Sequence, residues 1–131
     1  MACPLENHGM FCWFELMTSD QPAAAGFYSE LFGWKFEKSP HGGNYTLIKV
    51  GDRPAGGMMD KPPQCTAPSA AWGLYISVAS ADETAAKVRK LGGKVFAGPE
   101  DIPGVGRYAV LEDPQGAVFM VIQPSGQPKS A

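Results

Sequence analysis

The stretch WFELMTSDQPAAAGFYSELFGWKF, residues 13–36, decides the fold, because it reads in turn as strand, cap, helix and strand. Its first part belongs to Met10–Thr18, MFCWFELMT, which is apolar, aromatic and too short for an independent helix, and so reads as a strand. Ser19 or Asp20 can cap the helix that follows, and Pro22 suits its first turn. Ala24, Phe27, Tyr28 and Leu31 recur at helical spacing, and Gly33 is a natural stop. Trp34-Lys35-Phe36 then opens a strand, Tyr45–Val50 reads as another, and GDRPAGGMM, residues 51–59, supplies a turn and a short glycine-rich strand.

Between Asp60 and Ala70 three prolines and no periodicity mark a linker, with Cys65 inside it. The pattern then returns. Trp72–Val78 reads as a strand, and Ala81–Leu91 as a helix with Ala85, Val88 and Leu91 along one face and Gly92-Gly93 as its stop. Lys94-Val95-Phe96 opens a strand, PEDIPGVG (residues 99–106) reads as a loop, Tyr108–Leu111 as a strand, Asp113–Gly116 as a turn and Ala117–Ile122 as the last strand, with a polar tail from Pro124. Trp13 and Trp72, Gly33 and Gly92, and Lys35 and Lys94 are all 59 residues apart, and after a small loop insertion Tyr45 falls on Tyr108. The economical description is one α+β domain over residues 1–131, made of two βαβββ units at 10–60 and 71–124 joined by a linker at 61–70. Each sheet then needs a partner to cover its apolar face.

Composition narrows the function. With 44% apolar and 18% charged residues the 131-residue chain has an ordinary globular balance, and a net charge of -2 gives no electrostatic footprint for nucleic acid or an anionic membrane. No apolar run reaches the length of a membrane-spanning helix and no signal-peptide layout opens the sequence, which reads as cytoplasmic. Cys3, Cys12 and Cys65 form no metal-knuckle or C-x-x-C pattern, and Cys12 is expected to pack within its strand. Neither a dinucleotide fingerprint nor a phosphate loop occurs, and His8 and His41 lie outside the strands, as surface residues.

The run over residues 13–36, with its acidic turn, Phe-Tyr helix and Leu-x-Gly-aromatic close, resembles the opening of a domain of the glyoxalase/bleomycin-resistance/extradiol-dioxygenase group, the vicinal oxygen chelate superfamily. LEDPQGAVFMVIQP, residues 111–124, resembles the closing D-P-x-G turn and final strand of the same family. The resemblance implies a U-shaped, mostly antiparallel eight-stranded sheet with two main helices, a trough for a small molecule, and a homodimer. It also implies a divalent metal held by His, Gln and Glu from the first and last strands of each unit. Carried onto this sequence, those positions are Trp13, Gly57 (with a shift of register, Gly56 or Met58), Met120 and either Gly73 or, if the internal repeat sets the register, Trp72. Thioethers, indoles and glycines do not hold a hard or borderline divalent ion, so no metal or other cofactor is expected.

Strand alternation places Trp13, Glu15 and Met17 on one face. If Trp13 faces the trough, so does Glu15, the candidate general base or polar anchor. Trp13, Trp72 and Met120 are the expected ligand-binding walls, with Tyr75 or Leu74 beyond Trp72 according to register, while Tyr45 and Tyr108 can donate hydrogen bonds. Arg53 and Arg107, beside turns, are weaker candidates for clamping an anion. The expected function is therefore metal-free binding of an unknown small apolar or aromatic molecule. An enzyme of lyase, isomerase or dioxygenase type, using Glu15 or an unrecognised metal, and a structural or regulatory module with a filled trough are the alternatives.

Overall fold

A computed structural model describes residues 8–40, 43–61 and 70–125. Cys3, Cys65, His41, most of the expected linker and the end of the tail lie outside the described residues. The elements are β1 (Phe11–Thr18), α1 (Gln21–Phe32), β2 (Lys35–Lys38), β3 (Thr46–Val50), β4 (Arg53–Asp60), β5 (Ala70–Ser77), α2 (Ala81–Lys90), β6 (Lys94–Ile102), β7 (Gly106–Glu112) and β8 (Val118–Pro124). This is an α+β chain in which βαβββ occurs twice. Two compact units divide it, one spanning Trp13–Gly73 and the other taking Leu74 onward together with the residues up to Cys12. No helix among the described residues is long and apolar enough to cross a membrane.

The strands of the first repeat run in the order β2-β3-β4-β1 and those of the second in the order β6-β7-β8-β5. In each, the first strand lies parallel to the last, β1 with β4 and β5 with β8, and the other pairs are antiparallel. A helical crossover is what such parallel pairing requires. Asp20 caps α1 by accepting the Ala23 N–H at 3.1 Å, and Gly33 ends it in the left-handed region at φ 73°, its N–H bonded to the Ser29 carbonyl. Ser80 caps α2 through the Glu83 N–H at 3.1 Å, with Asp82 and Glu83 in the first turn and Lys87, Arg89 and Lys90 in the last, each sign matching the helix dipole.

Leu16, Ile48 and Met58 form the core under α1, with Ala24, Ala25, Tyr28, Trp34 and Phe36 packed against it. Under α2 the core is Val78, Ala85, Ala109, Leu111 and Val121. Four expectations are corrected here. The first half of the stretch read as a loop, Pro99–Ile102, continues β6, and β4 is a full eight-residue strand. Leu91 leaves the packed face of α2 and stands 67% exposed at its end. Phe27 and Leu31 share no face with the core either, both being more than half exposed. Cys12 is half-buried and unbridged.

Candidate functional site

Because Leu16 turns toward α1, alternation along β1 sends Trp13, Glu15 and Met17 to the opposite side of the strand. All three are buried there, Glu15 completely. In the register of β1 with β4, Glu15 lies beside Gly57, and in that of β3 with β4, Leu47 lies on the other side of Gly57. Tyr45, two residues before Leu47, projects on the same face. Its phenol oxygen accepts a hydrogen bond from the Trp13 indole N–H at 2.7 Å. A Cβ on Gly57 would overlap that phenol, so the absence of a side chain at 57 is what lets the ring lie against β4. Trp13, Glu15, Tyr45 and Gly57 thus form one group.

Tyr45 is fixed from both sides of its own backbone. Thr46 donates its hydroxyl to Gln21 Oε1 at 2.8 Å, and Gln21 Nε2 donates to the Asn44 carbonyl at 2.9 Å and to Asp60 at 3.0 Å. Asn44 Nδ2 completes the circuit to Asp60 at 2.6 Å. Sequence reading missed this network, since its members are 16 to 39 residues apart and no local pattern links them. The Gln21 and Asn44 amides, with Lys38 adding a smaller attraction, hold the Asp60 carboxyl below its ordinary value of 3.8. Stability from Asp60 is therefore complete above that ordinary value and is lost as pH falls through the lower folded one. Asp60→Asn is expected to lower the melting temperature near pH 7, with the gap to wild type closing in paired thermal melts as pH falls below that ordinary value and through the lower folded one. A cleft of about 460 Å³ opens beside this network, on the side of α1, and Asp20 and Lys38 also line it.

In the second repeat Tyr75 pairs with Met120 across β5 and β8, so it occupies the place that Glu15 holds in the first. Tyr75, Ser77, Met120 and Ile122 are buried on the face away from α2. Tyr108 lies two residues before Val110, the partner of Met120, just as Tyr45 lies two before Leu47, the partner of Gly57.

Trp72 lies elsewhere. It donates its indole N–H to the Tyr28 hydroxyl at 3.1 Å and meets Tyr28 and Trp34 edge-on, with centroids at 5.5 and 6.0 Å, on the side of α1. The reason is a broken offset: the N-caps Asp20 and Ser80 are 60 residues apart, whereas the strands after the helices, β2 and β6, open at Lys35 and Lys94, 59 apart. Trp13 therefore corresponds to Gly73, and Trp72 belongs to the other side of its strand.

Arg107 is occupied as well. Its guanidinium forks onto Asp82 at 3.0 and 3.1 Å and reaches Asp101 at 3.0 Å, tying β7 to the first turn of α2 and to β6; these carboxylates, Asp82 first, hold its pKa above the ordinary arginine value. His8 is exposed and accepts the Ala79 N–H on Nδ1 at 3.0 Å. It borders a second cleft, of about 370 Å³, whose floor includes Ile76 and Phe119 and whose rim includes Glu83 and Lys87.

The chain matches the model of the Glyoxalase/Bleomycin resistance protein/Dioxygenase superfamily over residues 11–121, and it belongs to that family. It is 44% identical over 128 residues to CFP32 of Mycobacterium bovis, a protein with a provisional glyoxylase designation, covering 96% of this chain and 48% of that one. It is 35% identical to the anthracycline biosynthesis protein DnrV of Streptomyces peucetius, covering 86% of this chain and 46% of that one. The chain thus spans about half the length of these relatives. Among solved structures, a homoprotocatechuate 2,3-dioxygenase variant from Brevibacterium fuscum shares the fold, with a TM-score of 0.57 at 16% identity over 97% of this chain and 37% of that one.

The metal that the family implies does not fit the residues present. At the four corresponding positions stand Trp13, whose N–H is already given to Tyr45, Gly57, whose side-chain space the phenol fills, Gly73, and the thioether of Met120. Among the described residues no three His, Cys, Asp or Glu side chains gather where they could hold an ion.

Proposed function

We propose that the chain binds a small apolar or aromatic molecule without a metal, using the face of the first repeat that carries Trp13, Glu15 and Tyr45. The observation that carries this reading is the wholly buried Glu15 carboxylate beside Gly57, where the Trp13–Tyr45 pair fills the space of a metal ligand. A buried carboxylate is a strong acceptor for a hydroxyl or N–H of a ligand whose flat body rests on aromatic side chains. The corresponding face of the second repeat offers Tyr75, Tyr108 and Met120. The name of the anthracycline-biosynthesis relative is in keeping with an aromatic ligand. The same carboxylate supports a second reading, in which Glu15 takes a proton from a bound carbonyl or ring compound. The protein acts as a homodimer.

Titration of chelator-treated protein with a hydroxylated anthraquinone, followed by tryptophan fluorescence, tests the binding reading. Binding is expected to be indifferent to added Zn, Ni or Mn, and Glu15→Gln is expected to weaken it by roughly 10-fold or more, the worth of a hydrogen bond to a charged group. Binding that requires one ion per chain would refute the metal-free reading. No binding by a stably folded protein would leave the filled structural module in its place.

A further inference from the structure

The two repeats supply an internal comparison. Their helices hold the same place in the topology, yet α2 carries five charged residues in ten, and α1, QPAAAGFYSELF, carries one in twelve, Glu30. A helix that only meets water on its outer side is expected to look like α2. On α1, Ala24, Ala25 and Tyr28 face the core, while Ala23, Gly26, Phe27, Glu30 and Leu31 form an exposed stripe.

That stripe joins an aromatic cluster. Phe27 meets Tyr28 edge-on at 5.0 Å between centroids, Tyr28 stacks with Phe32 at 6.3 Å and meets Trp72 at 5.5 Å, and Phe32 lies 4.9 Å from Trp34. Phe27, Leu31, Phe32 and Trp72 are between 46% and 61% exposed. With large side chains covering about 150–250 Å² when buried, these four leave roughly 400 Å² of contiguous apolar surface per copy. A specific interface takes about 800 Å² from each partner, apolar at its centre and polar at its rim, so the patch has the size of an interface centre. Its outer edge is made of small residues, and nothing lies within 4 Å of a Cβ built on Gly26, so another helix can approach closely.

We infer that a second copy of this chain covers the α1 face, with Phe27 and Leu31 packing across a twofold axis. The occupant is another copy because the patch presents almost no charge to select a different partner, and a single self-complementary patch closes as a symmetric pair. The inference rests on the homodimer proposed above and assigns its surface.

Sedimentation equilibrium at several concentrations, read against the 13.9 kDa chain mass, provides the test. The wild type is expected at twice that mass, and Phe27→Glu/Leu31→Glu at the monomer mass with an unchanged circular dichroism spectrum. Gly26→Arg guards against a folding artefact. Arginine favours the helix over glycine, and its Cβ meets open space in the single copy, so this variant is expected to become monomeric with an unchanged circular dichroism spectrum. Leu91→Lys, on the end of α2, is expected to stay dimeric. A dimer that survives both α1 variants would overturn the surface and leave the homodimer standing; a wild type that is monomeric throughout would overturn both.

Discussion

Trp13→Ala is expected to destabilise the protein by about 3–5 kcal/mol, the usual range for truncating a buried tryptophan. The side chain is 4% exposed and packs on the face of β1 away from α1, so its loss leaves a cavity beside Tyr45 and Gly57. Trp13→Phe separates volume from hydrogen bonding, because it keeps most of the ring and removes only the donor to the Tyr45 phenol. A loss nearer 1 kcal/mol is expected for it. Urea unfolding of the two variants checks the pair of values. If Trp13→Ala cost no more than Trp13→Phe, the indole would not be packed as described. The phenylalanine variant, being the less perturbed, is also the one in which to measure ligand affinity.

The second large effect comes from adding a single methyl group. Gly57→Ala places a carbon where the Tyr45 phenol lies, so the ring must swing away and abandon the Trp13 indole, whose N–H is then buried without its acceptor. About 2–3 kcal/mol is expected to be lost, since an orphaned buried donor costs about 1–3 kcal/mol and overpacking adds to it. In a Tyr45→Ala background the same substitution should reverse its sign. With the ring gone, alanine is the better strand residue by roughly 0.5–1 kcal/mol. A double-mutant cycle by urea unfolding therefore reads the contact directly, and additive effects would mean that Tyr45 does not rest on Gly57 in solution.

Local chemistry made much of this architecture legible. Asp20 and Gly33 bound α1 as their residue types require, and the two βαβββ repeats follow from strand and helix periods alone. What escaped had particular causes. Proline and glycine made residues 99–106 look like a loop, but β6 is the last strand in the order of its repeat, where a proline need not donate to a second neighbour. Its pairing with β7 also shifts register twice between Val95 and Glu100. The match of Trp13 with Trp72 failed because the spacing changes by one residue between the helix N-cap and the next strand, and in a strand one residue changes the face. Periodicity identified α1 but could not orient it, since a helix apolar on nearly every side has no unique inner face. Glu15 and Trp13 were placed on one face by alternation, whereas the hold of Tyr45 on Gly57 joins strands that no sequence window spans.

The circuit of Gln21, Asn44, Thr46 and Asp60 gives that interior phenol an unusual dependence on the protein's exterior. Tyr45 works as a short lever whose fulcrum is at the surface, while its tip reaches the interior. Substitutions at the exposed residues 44 or 60, remote from Glu15 in sequence, reach that tip through the backbone on either side of Tyr45 while leaving Trp13, Glu15 and Gly57 themselves unchanged. The position of the phenol on the inner face is thus adjustable from the rim, with nothing at the centre replaced.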